Sequence, residues 1–356
     1  MAETSIELLK SLTQADGIPG YETEVREIFR DAVSGVGPIG TDRLGSIFCT
    51  RVGNAEQPRI LLDSHLDEIG FVVQNVTDNG FVKFLPLGGW WAHTLLAQRV
   101  TITTKLGKVP GVVGSTPPHL LSGSRDKVLD MKDLFIDIGA ESEEQAAEEF
   151  GVLPGCPIAP YGPFMPLKNS KLFSAKAFDN RVGVAIVIEA LLRLEEHPNT
   201  VIGAGSVQEE VGLRGAKTMA ASVEPDLAIV LEGPPADDTP GLSVGSTQGK
   251  LGGGVQIRII DSSMIVNPKL ADFAIETAKR HEIPYQLGVR QSGGTDGGAI
   301  HQSGRGVPSV VLGVPSRYIH SHVSIINIDD YTAALELTMH LVREIDASAL
   351  EGFLFG

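Results

Sequence analysis

The chain has 356 residues, of which 42% are hydrophobic and 21% charged, with a formal net charge of −15 at pH 7. A chain of this length buries a large core and divides into more than one folding unit, and its acidic excess argues against nucleic acid or an anionic membrane surface as partner. Two distant cysteines, Cys49 and Cys156, give neither a disulfide framework nor a cysteine-rich zinc site, so any transition metal is left to His, Asp and Glu.

The first residues, Met1 to Glu7, lack a basic segment and a long apolar core, so no signal peptide is read there. No uncharged apolar run reaches the ~20 residues of a membrane helix, and the expected compartment is the cytoplasm. Apolar spacing predicts helices over 3–14 and 22–34, separated by the turn Gly17-Ile18-Pro19-Gly20. Strands follow at 43–52 and at Arg59-Ile60-Leu61-Leu62-Asp63-Ser64-His65. From Gly70 the texture changes to short β-rich runs at 71–76, 81–85, 99–104 and 109–113, with one helix at 142–150. Such runs, broken by Gly and Pro, predict a small barrel or sandwich.

Beyond Phe173 strands and helices alternate. Helices are expected at 180–194, 214–223, 268–281, 295–302 and 329–346, and strands at 200–207, 226–231, 255–260, 285–290 and 309–312. A Gly- and Pro-rich loop covers 233–254. The pattern predicts an α/β fold with a mostly parallel central sheet and helices on both faces. Residues 1–70 and 166–356 then form one α/β domain, into which residues 71–165 are inserted as a β-rich domain.

Acidic or histidine clusters fall just after these strands or at helix starts: His65 with Asp67, Asp179, Glu209-Glu210, Glu232, and His320 with His322. A parallel sheet gathers its ligands at the carboxyl ends of its strands. Carboxylates crowded there repel one another unless cations lie between them, and His with carboxylate suits Zn²⁺, Co²⁺ or Mn²⁺ better than Ca²⁺. Neighbours in a strand face opposite ways, so Glu209 and Glu210 reach one cleft only if the strand breaks after Val207. Asp179 also fits a helix N-cap, as does the Thr295-Asp296 pair. Periodicity does not choose between His320 and His322, which share a face if they lie on a strand. His93, His197, His281 and His340 read as surface or packing residues.

Taken jointly, Gly20-Tyr21-Glu22, His65-Leu66-Asp67-Glu68-Ile69-Gly70, Gly88-Gly89-Trp90, Ala177-Phe178-Asp179-Asn180-Arg181, Gln208-Glu209-Glu210-Val211-Gly212, Gly294-Thr295-Asp296 and Arg317-Tyr318-Ile319-His320-Ser321 form a specific pattern. It resembles that of the tetrahedral (TET) metalloaminopeptidases, the family of glutamyl aminopeptidases and of proteins once labelled cellulases. The resemblance implies a zinc-peptidase type fold with two divalent ions per subunit, Zn²⁺ or Co²⁺, about 3.5–4 Å apart and sharing a water. It also implies that Asp179 bridges the ions, His65 and Glu232 complete one site, and Glu210 and His320 complete the other. Asp67 then hydrogen-bonds the second nitrogen of His65, and Glu209 serves as general base toward the shared water. The implied substrates are short peptides cut at the N-terminus. The implied assembly is a homo-oligomer, a dodecamer, with contacts built by residues 71–165 and His119 facing a neighbour's cleft.

Residue 232 is Glu where many relatives carry Asp, a longer reach by about one C–C bond, ~1.5 Å. That difference keeps a related metal carboxypeptidase or N-acyl amino acid hydrolase as the alternative. A glycosidase working with Glu209 and a second carboxylate is a weaker rival, because it leaves the histidine clusters without a purpose.

Overall fold

The computed structural model describes residues 2–120, 128–241 and 247–355. An eight-stranded mixed sheet forms the centre, in the order Ile39–Thr41, Ile47–Val52, Thr200–Ser206, Arg59–His65, Leu227–Glu232, Ser309–Gly313, Val255–Ile260 and Tyr285–Val289. Its four middle strands, from Thr200–Ser206 to Ser309–Gly313, pair in parallel. Antiparallel neighbours flank them on both sides. Every residue of Thr200–Ser206, Leu227–Glu232 and Ser309–Gly313 is buried. Helices cover both faces of such strands, which is why their sequences run apolar without alternation.

Helix Phe178–Arg193 packs across the middle strands and is buried on nearly all sides. It comes close because Gly183 has no side chain: a Cβ there would lie 2.4 Å from Ser64 Oγ and 2.5 Å from the Leu231 carbonyl. The helix start is thereby pressed against the carboxyl ends of two strands. Truncating a fully buried residue of this helix, such as Ile186, to Ala costs about 2–5 kcal/mol.

Six strands close into a barrel: Gly70–Val76, Val82–Leu87, Phe135–Asp137, Gly107–Gly114, Arg99–Thr104 and Pro157–Pro160. Its core is separate from that of the sheet and contains Phe71, Val73, Val100, Ile102, Ile136 and Ile158. Closure removes the free edges an open small sheet would expose. Two of the six strands are absent from the sequence reading. Phe135–Asp137 has only three residues, and Pro157–Pro160 begins and ends in proline, which normally argues against a paired strand.

A small antiparallel sheet of Met165–Pro166, Leu172–Ala175 and Ser324–Asn327 was likewise not foreseen, nor was the last helix, Ala347–Phe353. The strand near His322 starts only at Ser324. His320 and His322 therefore share no strand face; Tyr318 and His320 sit at positive φ, 61° and 57°, in a turn. Of the expected loop 233–254, residues 242–246 lie outside the described residues.

Candidate active site

Strand register sets the level of the site. In the parallel pairs Ser206 stands opposite His65, and Val230 opposite Asp63, so Glu232 comes level with His65 two residues on. The chain leaving Ser206 breaks at Gln208, whose φ of 58° is left-handed. That break cancels the strand alternation and brings Glu209 and Glu210 to the same cleft. Asp179 arrives from the other side, at the start of the helix that Gly183 lets in; its own φ and ψ, −82° and 102°, are not helical.

The side chains converge. His65 Nε2 lies 3.2 Å from Asp179 Oδ1 and 3.9 Å from Glu232 Oε2. His320 Nε2 lies 3.7 Å from Asp179 Oδ2 and 3.3 Å from Glu210 Oε2. Asp179 thus offers one oxygen to each of two groups, His65–Asp179–Glu232 and Asp179–Glu210–His320, with donor atoms in each within 4.8 Å of one another. Zinc ligands at 2.0–2.2 Å stand roughly 3.3–3.5 Å apart in a tetrahedral shell; the spacings of 3.2 and 3.3 Å match that shell, and those of 3.7 and 3.9 Å exceed it by a few tenths of an ångström. Glu209 Oε2 stands 3.9 Å from His65 Nε2, beside the first group.

Backbone contacts fix the ring tautomers. His65 Nδ1 lies 3.0 Å from the Asp67 carbonyl, and His320 Nδ1 lies 2.8 Å from the Gly89 carbonyl. A carbonyl only accepts, so each Nδ1 donates, and each ring in its neutral form turns the Nε2 lone pair into the cleft. Gly89 belongs to the connection that follows the second barrel strand, where the Trp90 indole donates to the Gly70 carbonyl at 3.0 Å and stacks on Phe71. The barrel therefore orients one of the two histidines, a link that no sequence spacing discloses.

Asp67 differs from expectation. Its carboxylate stands 3.6 Å from His65 Nδ1, and the atom bonded to the ring is its carbonyl. The carboxylate instead accepts the Glu209 N–H at 2.9 Å and the Glu210 N–H at 3.1 Å. The strand has ended at His65, so the two-residue alternation assumed for Asp67 no longer applies. Asn180 was not singled out, yet its amide donates to Glu232 Oε2 at 2.9 Å and to the Leu231 carbonyl at 2.8 Å.

Asp296 heads the short helix Gly297–Ile300 without capping it through its side chain. It accepts instead from Ser206 Oγ at 2.5 Å, and burial lifts its carboxyl to about 6. Thr295 is buried beside it, and His119 lies exposed on the turn Pro118–Leu120. His322 is buried against Trp90, with neither ring nitrogen hydrogen-bonded, and burial lowers its pKa to about 4.

Electrostatically the cleft calls for positive charge. Burial raises Glu232 to about 8 and drives Glu209 and Glu210 well above the usual carboxylate range. For Glu210 the next cause is the charge of Asp179. Burial opposes charging His65, but Glu209, Asp179 and Asp67 outweigh it and hold the ring well above its ordinary pKa. The cations nearest in sequence are already engaged. Arg181 is fully buried, donating to the Leu12, Ala15, Gly17 and Leu66 carbonyls and meeting Glu68 at 3.4 Å. Arg290 pairs with Asp237 at 3.0 Å, and Arg317 grips Asp238 through two bonds of 2.7 and 2.6 Å.

The mixed sheet with its closed barrel matches the fold of solved aminopeptidase hydrolases. The chain belongs to the M42 glutamyl aminopeptidase family, whose pattern matches residues 45–337. It is 38% identical over 345 residues to the glutamyl aminopeptidase of Lactococcus lactis subsp. cremoris (strain MG1363), covering 95% of this chain and 96% of that one. The TET aminopeptidase from the marine sediment archaeon Thaumarchaeota archaeon SCGC AB-539-E09 superposes with a TM-score of 0.96 at 44% identity, covering 99% of each chain. The Pyrococcus horikoshii TET1 peptidase, which can assemble into a tetrahedron or a large octahedral shell, superposes at 0.86 with 36% identity, covering 96% of this chain and 100% of that one. No helix among the described residues is long and apolar enough to cross a membrane.

Proposed function

We propose that the chain is a dinuclear-metal aminopeptidase that releases N-terminal residues from short peptides. The observation that carries this reading is Asp179, with one oxygen turned to His65 and the other to His320. His65, Asp179 and Glu232 hold one divalent ion and Asp179, Glu210 and His320 the other, Zn²⁺ or Co²⁺ by donor type. Bound there, the ions supply Lewis acidity to the scissile carbonyl and to the attacking water.

Glu209 takes a proton from that water as its oxygen adds to the carbonyl carbon. It returns the proton to the departing nitrogen as the C–N bond breaks. Asp67 holds the backbone of Glu209 and Glu210 in place, and Asn180 holds Glu232. The carboxylates also receive the substrate's free α-ammonium group. A carboxypeptidase or acylase needs an unpaired cation for the substrate carboxylate, most often Arg; Arg181, Arg290 and Arg317 all have acidic partners. We further read residues 71–165 as an inserted domain that carries subunit contacts of a closed dodecameric shell in the cytoplasm; the dodecamer and the tetrahedron formed by the Pyrococcus relative support the closed shell.

The test is a panel of dipeptides and aminoacyl anilides with added Co²⁺ or Zn²⁺, each with a free amine or N-acetylated. The acetylated set is expected to be cut at least ~10²-fold more slowly, a loss of roughly 2.7 kcal/mol in transition-state binding. Faster hydrolysis of the acetylated set overturns the aminopeptidase reading in favour of the acylase.

A further inference from the structure

Among the described residues a third group of metal-type side chains lies outside the cleft: His281, His340 and Glu344. His340 and Glu344 are four apart on helix Ile328–Glu344 and so share a face. His281 is the first residue past helix Pro268–Arg280. The group shares no residue with the cleft and sits at the other end of the sheet. The Val342 and Ile345 carbonyls accept from the Asn199 amide, just before strand Thr200–Ser206, whose far end carries the cleft. At ~3.3 Å per residue that strand separates the two places by about 20 Å.

The plain reading is a hydrogen-bonded pair at a helix end, since His281 Nε2 lies 2.7 Å from Glu344 Oε1. It leaves His340 unexplained. The His340 ring stacks on His281 with centroids 3.6 Å apart and planes 18° from parallel, and its nitrogens have no hydrogen bond to any described residue. Arg280 occupies the second oxygen of Glu344, so Oε1 is the one turned to the two rings. One donor atom from each residue falls within 4.8 Å of the others. Ligand atoms around zinc stand about 3.3 Å apart, and an imidazole holds a metal in its own ring plane, so binding swings the exposed His281 ring out of the stack. His281 and Glu344 retain 31% and 26% exposure, so an ion has access from solvent.

We propose that His281, His340 and Glu344 form a separate site for a divalent transition-metal ion of the Zn²⁺ or Cu²⁺ class. Two imidazoles and one carboxylate are a borderline donor set that favours such ions over Ca²⁺ and Mg²⁺. Water completes the shell. The ion clips the ends of two helices that are otherwise joined there by side-chain pairs, and it takes no part in peptide cleavage.

The experiment uses the untagged full-length protein, stripped with chelator, reloaded with Zn²⁺, desalted and measured by plasma emission. Wild type is expected to hold one equivalent per chain more than His340→Ala and His281→Ala, whatever number the cleft holds, while all three keep the same peptidase turnover. The variants should bind that equivalent at least ~10-fold more weakly, the low end for losing a metal-orienting group. Zn²⁺ beyond the cleft's requirement should raise the thermal midpoint of wild type only. Should His340→Ala not fold, His281→Ala at the more exposed position decides alone. Equal zinc content and equal thermal response in wild type and the folded variants overturn the proposal.

Discussion

Removal of the Asp67 carboxylate separates two accounts of how this cleft is held. The side chain is fully buried and accepts the N–H groups of Glu209 and Glu210 at 2.9 and 3.1 Å. In Asp67→Ala both donors lose a charged acceptor at a site with little water. Each unsatisfied buried N–H costs about 1–3 kcal/mol, so the fold loses roughly 2–6 kcal/mol. Asp67→Asn keeps one accepting oxygen and turns an NH₂ toward the second N–H, which places its loss near half of that. The peptide then relaxes and displaces both the proposed base and one proposed ligand. A positional error of this kind costs about 10²-fold or more in kcat, with weaker metal retention at the Glu210 group. Denaturant unfolding, metal content and turnover of both variants give the answer. If Asp67→Ala unfolds within ~0.5 kcal/mol of wild type, the size of an ordinary surface change, and keeps its turnover, these bonds do not hold the site.

Glu209→Gln should keep its metal content yet lose about 10²–10⁴ in kcat, the usual weight of a general base; turnover measured beside plasma emission checks it. His320→Ala should lose metal and activity, whereas His322→Ala should keep its metal, because the His322 ring is buried against Trp90; chromophoric chelator titration of both tells them apart. Stripped of divalent ions, the protein should be more stable at pH 6 than at pH 8. Glu232 keeps its proton to about 8 when folded, against 4.5 as the ordinary value, so the folded state binds more protons between these limits and stability falls as pH rises through them. The effect is on the order of 2 kcal/mol between about pH 6 and pH 8 for one group, readable by thermal unfolding in chelator, and a rise in stability toward pH 8 would contradict it.

Element types over most of the chain were legible in the sequence, because an apolar run with no alternation reports a strand or helix covered on both sides. The ten-residue helix Arg214–Val223 and strand Val255–Ile260 fall where spacing puts them. The carboxyl-edge clusters were legible for the same reason: a charged residue directly after a buried strand has few other places to be. Partners set by strand order were not legible from spacing and came only from the family resemblance. His65 meets Glu232 because residue 63 registers with residue 230, and Asp179 faces both histidines because Gly183 lets its helix onto the sheet. Asp67 turned to the backbone of Glu209 and Glu210 once the strand stopped at His65, an event that side-chain alternation does not encode. The stacking of His281 on His340 joins two helix ends far apart in the chain, and no local pattern connects them. Local chemistry therefore chose the kinds of residue that line the cleft. Which oxygen faces which ring was decided only when the strands took their order, because donor spacing depends on through-space register and not on separation along the chain.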